Sequence, residues 1–66
     1  MWETFKNGDA INTETGDEMY MNLGSDGLIR VYCGKKIIFA CKSVEEAKKF
    51  IADKAKELNE ELADRG

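Results

Sequence analysis

The chain has 66 residues, a net charge of −3, two cysteines and no histidine. That length makes one domain, 1–66, and no apolar run approaches the roughly 20 residues of a membrane span. The acidic balance argues against a sequence-independent grip on nucleic acid, which rests on Lys and Arg neutralising phosphates, and the missing histidine removes the commonest transition-metal ligand and the usual general base.

A core this small rarely supplies more than about 3–5 kcal/mol. Disulfides and metals are poor candidates here, so self-association is the remaining source of extra stability. Met1-Trp2-Glu3-Thr4 has no basic start followed by an apolar stretch, so it does not read as a signal peptide. A cytoplasmic chain with reduced thiols is expected. The charge is unevenly spread. Residues 1–27 carry six acids against Lys6, a balance of −5, whereas residues 28–42 carry Arg30, Lys35, Lys36 and Lys42 with no acid, a balance of +4.

Trp2 to Thr13 is organised around Asn7-Gly8, a dipeptide that favours a two-residue type I′ turn because both central positions need φ > 0. Such a loop pairs Lys6 with Asp9 as a cross-strand ion pair, Phe5 with Ala10 and Thr4 with Ile11. Glu14-Thr15-Gly16-Asp17 follows as a polar turn. Glu18 to Leu23 alternates, with Met19, Met21 and Leu23 on one face and Tyr20 and Asn22 on the other. Gly24-Ser25-Asp26-Gly27 reads as a loop.

Leu28 to Cys33 and Lys36 to Lys42 read as strands rich in β-branched and aromatic residues. Gly34-Lys35 joins them in a type II′ turn with Gly34 first. That register pairs Tyr32 with Ile37, Val31 with Ile38, Arg30 with Phe39, Ile29 with Ala40 and Leu28 with Cys41. One face then carries Ile29, Val31, Ile38 and Ala40. The other carries Leu28, Arg30, Tyr32, Ile37, Phe39 and Cys41. Both are substantially apolar, yet one helix covers one face, so the other face needs cover from the N-terminal hairpin or from a second subunit.

Residues 43–65 form an amphipathic helix. Ser43-Val44-Glu45-Glu46 is a capping box. Val44, Ala47, Ile51, Ala55, Leu58 and Leu62 lie within about 80° of one another on a helical wheel, and Phe50 widens the stripe. Glu45–Lys49 and Lys56–Glu60 are spaced as i,i+4 pairs. About 21 residues span roughly 31 Å, against about 20 Å for a six-residue strand. The end from Leu58 onward is therefore expected to overhang, in an acidic segment where the helix dipole prefers cations and only Arg65 helps.

Few residues are placed for chemistry. Cys33 and Cys41 fall about 17 Å apart in the expected register, too far for a disulfide, and both read as small buried hydrophobes without a histidine to activate them. Glu14, Asp17 and Glu18 cluster near one turn but lack the spacing of a calcium loop. The glycines form neither a dinucleotide nor a phosphate-binding motif. No catalytic, cofactor-binding or metal-binding residues are assigned, and no cofactor is expected.

Asp9-Ala10-Ile11-Asn12-Thr13, followed by a strand, a glycine turn, paired strands and Ser43-Val44-Glu45-Glu46-Ala47-Lys48-Lys49-Phe50-Ile51, resembles small uncharacterised proteins of Gram-positive bacteria and their prophages. The resemblance covers most of the chain and implies a cytosolic sheet-plus-helix protein, of phage origin. It supplies no catalytic residues.

The sequence thus predicts an α+β domain: an antiparallel sheet of about four or five strands in a meander over 1–42, then one long C-terminal helix packed on one face. It predicts a non-enzymatic interaction protein, homodimeric, with Leu58, Leu62, Tyr32, Ile37 and Phe39 as interface residues. The alternative is a single-stranded nucleic-acid-binding module using Arg30, Tyr32, Lys35, Lys36 and Phe39, since a sheet with exposed aromatics can stack bases.

Overall fold

Five strands follow one another in the order in which they are paired: β1 (Trp2–Thr4), β2 (Ala10–Asn12), β3 (Glu18–Leu23), β4 (Ile29–Cys33) and β5 (Lys36–Cys41). Every neighbouring pair is antiparallel. One helix, α1 (Val44–Asp64), lies across one face of this meander and touches all five strands. The computed structural model describes residues 1–64, so Arg65, the expected last residue of the helix, lies outside the described residues. The fold is α+β. Among the described residues no helix is long and apolar enough to cross a membrane.

The alternation of β3 sets the two faces. Met19 is fully buried under α1, with Ala10 opposite it on β2. Tyr20 and Asn22 point the other way, as period-2 geometry requires. The helix contributes Ala47, Ile51 and Ala55 to the core, which also holds Trp2, Ile29, Val31 and Cys41. The apolar stripe of α1 thus meets the face of the sheet that carries Met19 and Val31. The helix starts with half of the expected capping box: the Ser43 hydroxyl accepts from the Glu46 N–H at 3.1 Å, and among the described residues the Glu46 carboxylate makes no return bond to the Ser43 N–H.

Two hairpins differ from the expected register. At β4–β5 the Gly34-Lys35 turn is the one expected: Cys33 faces Lys36, Tyr32 faces Ile37, and Gly34 takes φ 64° while Lys35 does not have positive φ. Beyond it a bulge inserts one extra residue, Ile38, so Val31 faces Phe39, Arg30 faces Ala40 and Ile29 faces Cys41. A one-residue slip moves side chains to the opposite face. Phe39 and Cys41 therefore join the helix-covered core, and Ala40 joins the open face. The bulge resolves the problem of two apolar faces: the largest apolar side chain of β5 turns inward.

At β1–β2 the loop is longer than a two-residue turn. Thr4 faces Ala10 and Glu3 faces Ile11. The Gly8 N–H donates to the Phe5 carbonyl at 3.0 Å and the Phe5 N–H to the Asp9 carbonyl at 2.8 Å. Gly8 has φ 97° and Asn7 does not have positive φ. This is a three-residue loop with glycine at the left-handed position, not a type I′ turn. Asn7 accepts from the Asp9 N–H and donates to the Asp9 carboxylate, in place of the expected Lys6–Asp9 pair. A Cβ at Gly8 would meet the stem of Lys48 and the methyl of Met21, so the loop tip rests against α1.

Candidate interaction site

The sheet has two faces and two edges, and the expected site residues are distributed among them. On the open face, the pairs Glu3–Ile11–Glu18, Tyr20–Tyr32–Ile37 and Asn22–Arg30–Ala40 run across the strands. Directly paired residues share a face. Tyr20 and Tyr32 stack with ring centroids 5.2 Å apart and 7° between planes, within the usual range for aromatic pairs. The Tyr20 hydroxyl reaches the Gly34 carbonyl at 3.4 Å. Ile11 and the two tyrosines are half-buried, and Ile37 is 55% exposed.

Phe39 is not part of this surface. It stacks on Phe50 of α1 at 4.2 Å, with 2° between planes, on the helix side. Lys36 is paired with Cys33 and so belongs to the helix side of the strand end, while Lys35 sits in the turn. Arg30 is on the open face but engaged: its guanidinium donates two hydrogen bonds to the Asp26 carboxylate, at 3.2 and 2.6 Å. It leans over Gly24, where a Cβ would collide with it. The Arg30 hydrogen bonds, followed by the Leu28 N–H, hold the Asp26 carboxyl below its ordinary pKa, and Asp26 in turn raises that of Arg30. The five residues of the expected nucleic-acid set therefore do not form one surface, and the cation nearest its aromatic centre already has a counter-ion.

The helix end lies on the other side of the sheet. Leu58 is half-buried and packs on the core, so the overhang begins near Leu62, 40% exposed, rather than at Leu58. The reason is the path of α1, which crosses the sheet from the Phe39–Phe50 stack over β5 to Trp2 on β1. A helix laid diagonally finds more sheet beneath it than a single strand's length offers.

Its anchor at β1 is Asn59, which sequence reasoning did not single out. The Trp2 N–H donates to Asn59 Oδ1 at 2.7 Å, and Asn59 Nδ2 donates to the Trp2 carbonyl at 3.0 Å. The amide thus takes two of the outward-facing backbone groups of β1, those of Trp2. A groove of about 380 Å³ flanks this link, lined by Trp2, Thr4, Ala52, Ala55 and Lys56 among others. A smaller one of about 230 Å³ lies between Trp2, Asn12, Leu58 and Leu62.

The remaining candidates are local. Cys33 is half-buried and Cys41 buried, both free, at opposite ends of the β4–β5 hairpin. Glu14 lies 3.5 Å from the N-terminal amine, and Asp17 accepts from the Thr15 hydroxyl at 3.0 Å. On the helix the ion pair among described residues is Lys54–Glu57 at 3.8 Å, not either of the expected i,i+4 pairs.

No protein-family model matches the chain, and no curated protein or solved structure matches it. The class that the geometry defines is a five-stranded antiparallel meander covered on one face by a single helix.

Proposed function

We propose that this chain is a small non-enzymatic interaction protein that self-associates through the open face of its sheet. One observation carries the reading: the Tyr20–Tyr32 stack, with Ile11 on one side and Ile37 on the other, lies on a face that α1 leaves uncovered. The face suits a second copy of itself. Glu3 and Glu18 occupy its β1–β3 half, and Arg30 its β4 half. A two-fold axis through the tyrosines sets the stacks of two copies against each other, as an isologous interface requires, while the Arg30 charge is met within its own chain by Asp26.

The helix end, with Leu62, faces away from this surface, so a single flat interface uses the sheet and not the helix tip. The footprint is roughly 20 Å by 17 Å, or about 350 Å² per chain. That is below the standard interface size, and it places the dimer among weak, rapidly exchanging associations. The reading also takes the chain as cytosolic and of phage or prophage origin, on the sequence resemblance alone. Sedimentation velocity across a wide concentration range tests it: the weight-average mass rises toward two chains in the wild type and stays at one chain in Tyr32→Glu. A wild type that remains one chain throughout overturns it.

A further inference from the structure

Among the described residues the fifth strand ends the sheet without a neighbour on its outer side. It is six residues long, Lys36 to Cys41, and its outer backbone groups form a row about 20 Å long available to another strand. Ile37 and Ile38 are 55% and 36% exposed. On the helix side the half-buried Phe39–Phe50 stack forms an apolar shelf beside the edge. On the open side Ile37 and Ala40 do the same. Alternate side chains of an added strand would meet apolar surface on both sides.

Charge decides which strand fits. Lys35, Lys36 and Lys42 bracket the edge, and none is in an ion pair among the described residues. Antiparallel pairing of β5 with β5 of a second copy sets Lys35 and Lys36 of one chain near Lys42 of the other at both ends, and like charges directly opposite are destabilising. The bulge at Ile38 further blunts indiscriminate pairing. The Glu3-bearing edge β1 of a second copy is only three residues long and is blocked at Trp2 by the Asn59 amide. Both edges of this chain are thus poor strands for β5 to capture.

We infer that the β5 edge is a docking strand for an extended segment of another protein, with apolar residues at alternate positions and acidic residues at its ends, added as a sixth strand. This is the β-augmentation mode, in which main-chain bonds supply affinity and flanking side chains supply selectivity. The inference specifies the partner left open by the interaction-protein reading, but it uses the edge rather than the open face.

The test uses two fluorescent peptides of about nine residues, long enough to cover the strand. Both alternate valine and threonine in the middle. One ends in two glutamates at each side and the other in two lysines. In an anisotropy titration at low salt the glutamate peptide should bind about tenfold or more tightly than its lysine twin, since the exposed lysines attract its ends and repel those of the twin. Binding should weaken with salt, and amide exchange should slow at Lys36–Cys41. The double variant Lys36→Glu/Lys42→Glu, altered at two exposed positions, should reverse the preference. Equal affinity for the two peptides, no binding of either, or unchanged exchange along β5 overturns the inference. Sedimentation of the same samples separates the two readings: a dimer that ignores the peptide leaves open-face association standing, and peptide binding by a monomer leaves the edge standing without the dimer.

Discussion

The two edges of this sheet are treated in opposite ways. At β1 the backbone groups of Trp2 are taken by the Asn59 side chain, Trp2 itself is 8% exposed, and α1 packs alongside. At β5 the edge is long, apolar and bracketed by lysines that make no ion pair among the described residues. Open edges on both sides would let β1 of one copy add to β5 of the next. Such a head-to-tail contact does not close and grows into filaments. A single amide at Trp2, on an edge of only three residues, hinders that route and leaves the other edge for a selected partner. The difference teaches that Asn59 has two jobs, holding the helix end down and ending the sheet.

The largest expected effect breaks the closed edge from inside. Trp2→Ala should cost about 3–5 kcal/mol, as large-to-small changes of buried aromatics do. That equals the whole stability expected of a core this size, so the variant should show no cooperative melt by circular dichroism. A sharp melt within a few degrees of the wild type would mean that β1 contributes little.

Asn59→Ala comes next. It removes both bonds to the Trp2 backbone, each a net hydrogen bond worth about 0.5–1.5 kcal/mol when water replaces the partner. It also uncovers β1. Denaturant titration should show the loss, and light scattering should show species larger than a dimer. An unchanged mass distribution would mean that the amide is an anchor and not an edge cap.

These two residues also show what the sequence could not display. The fold class, the start of α1 at Ser43 and the Gly34-Lys35 turn were legible because each rests on a local pattern: alternation, a capping residue, a glycine that must take positive φ. Asn59 was illegible because its role depends on a residue 57 positions away. Trp2 sits in a three-residue strand, too short for alternation to register. The bulge left no mark either: Ile37-Ile38-Phe39 is apolar throughout, so it satisfies the pattern in either register. That one missed residue moved Phe39 from the proposed surface into the core and left Tyr32 and Ile37 on the open face. Asn7-Gly8 misled for a related reason, since the glycine is needed in both loop types and contact with Lys48 and Met21 favours the longer one.

Thiol labelling offers a smaller effect that sharpens the register. Cys33, half-buried, should react with an aromatic disulfide reagent well before Cys41, buried at the far end of the same hairpin. Equal rates would contradict the bulged pairing that turns Cys41 inward.

The smallest effect concerns Asp26. Its folded-state pKa is depressed by Arg30 and the Leu28 N–H. The associated stability is therefore present above the unfolded-state pKa and is lost as pH falls through the lower folded value. A carboxyl NMR titration should place Asp26 below the ordinary aspartate value, and Arg30→Gln should return it upward. An Asp26 shift unaffected by Arg30→Gln would break the assignment.

The most direct test of the central claim, association through the open face, is sedimentation equilibrium of the wild type beside Tyr32→Glu and Leu62→Glu at matched concentrations. The account predicts a reversible monomer–dimer mixture for the wild type and for Leu62→Glu, and a single-chain mass for Tyr32→Glu. A wild-type mass of one chain at every concentration, or a dimer lost only in Leu62→Glu, would contradict it.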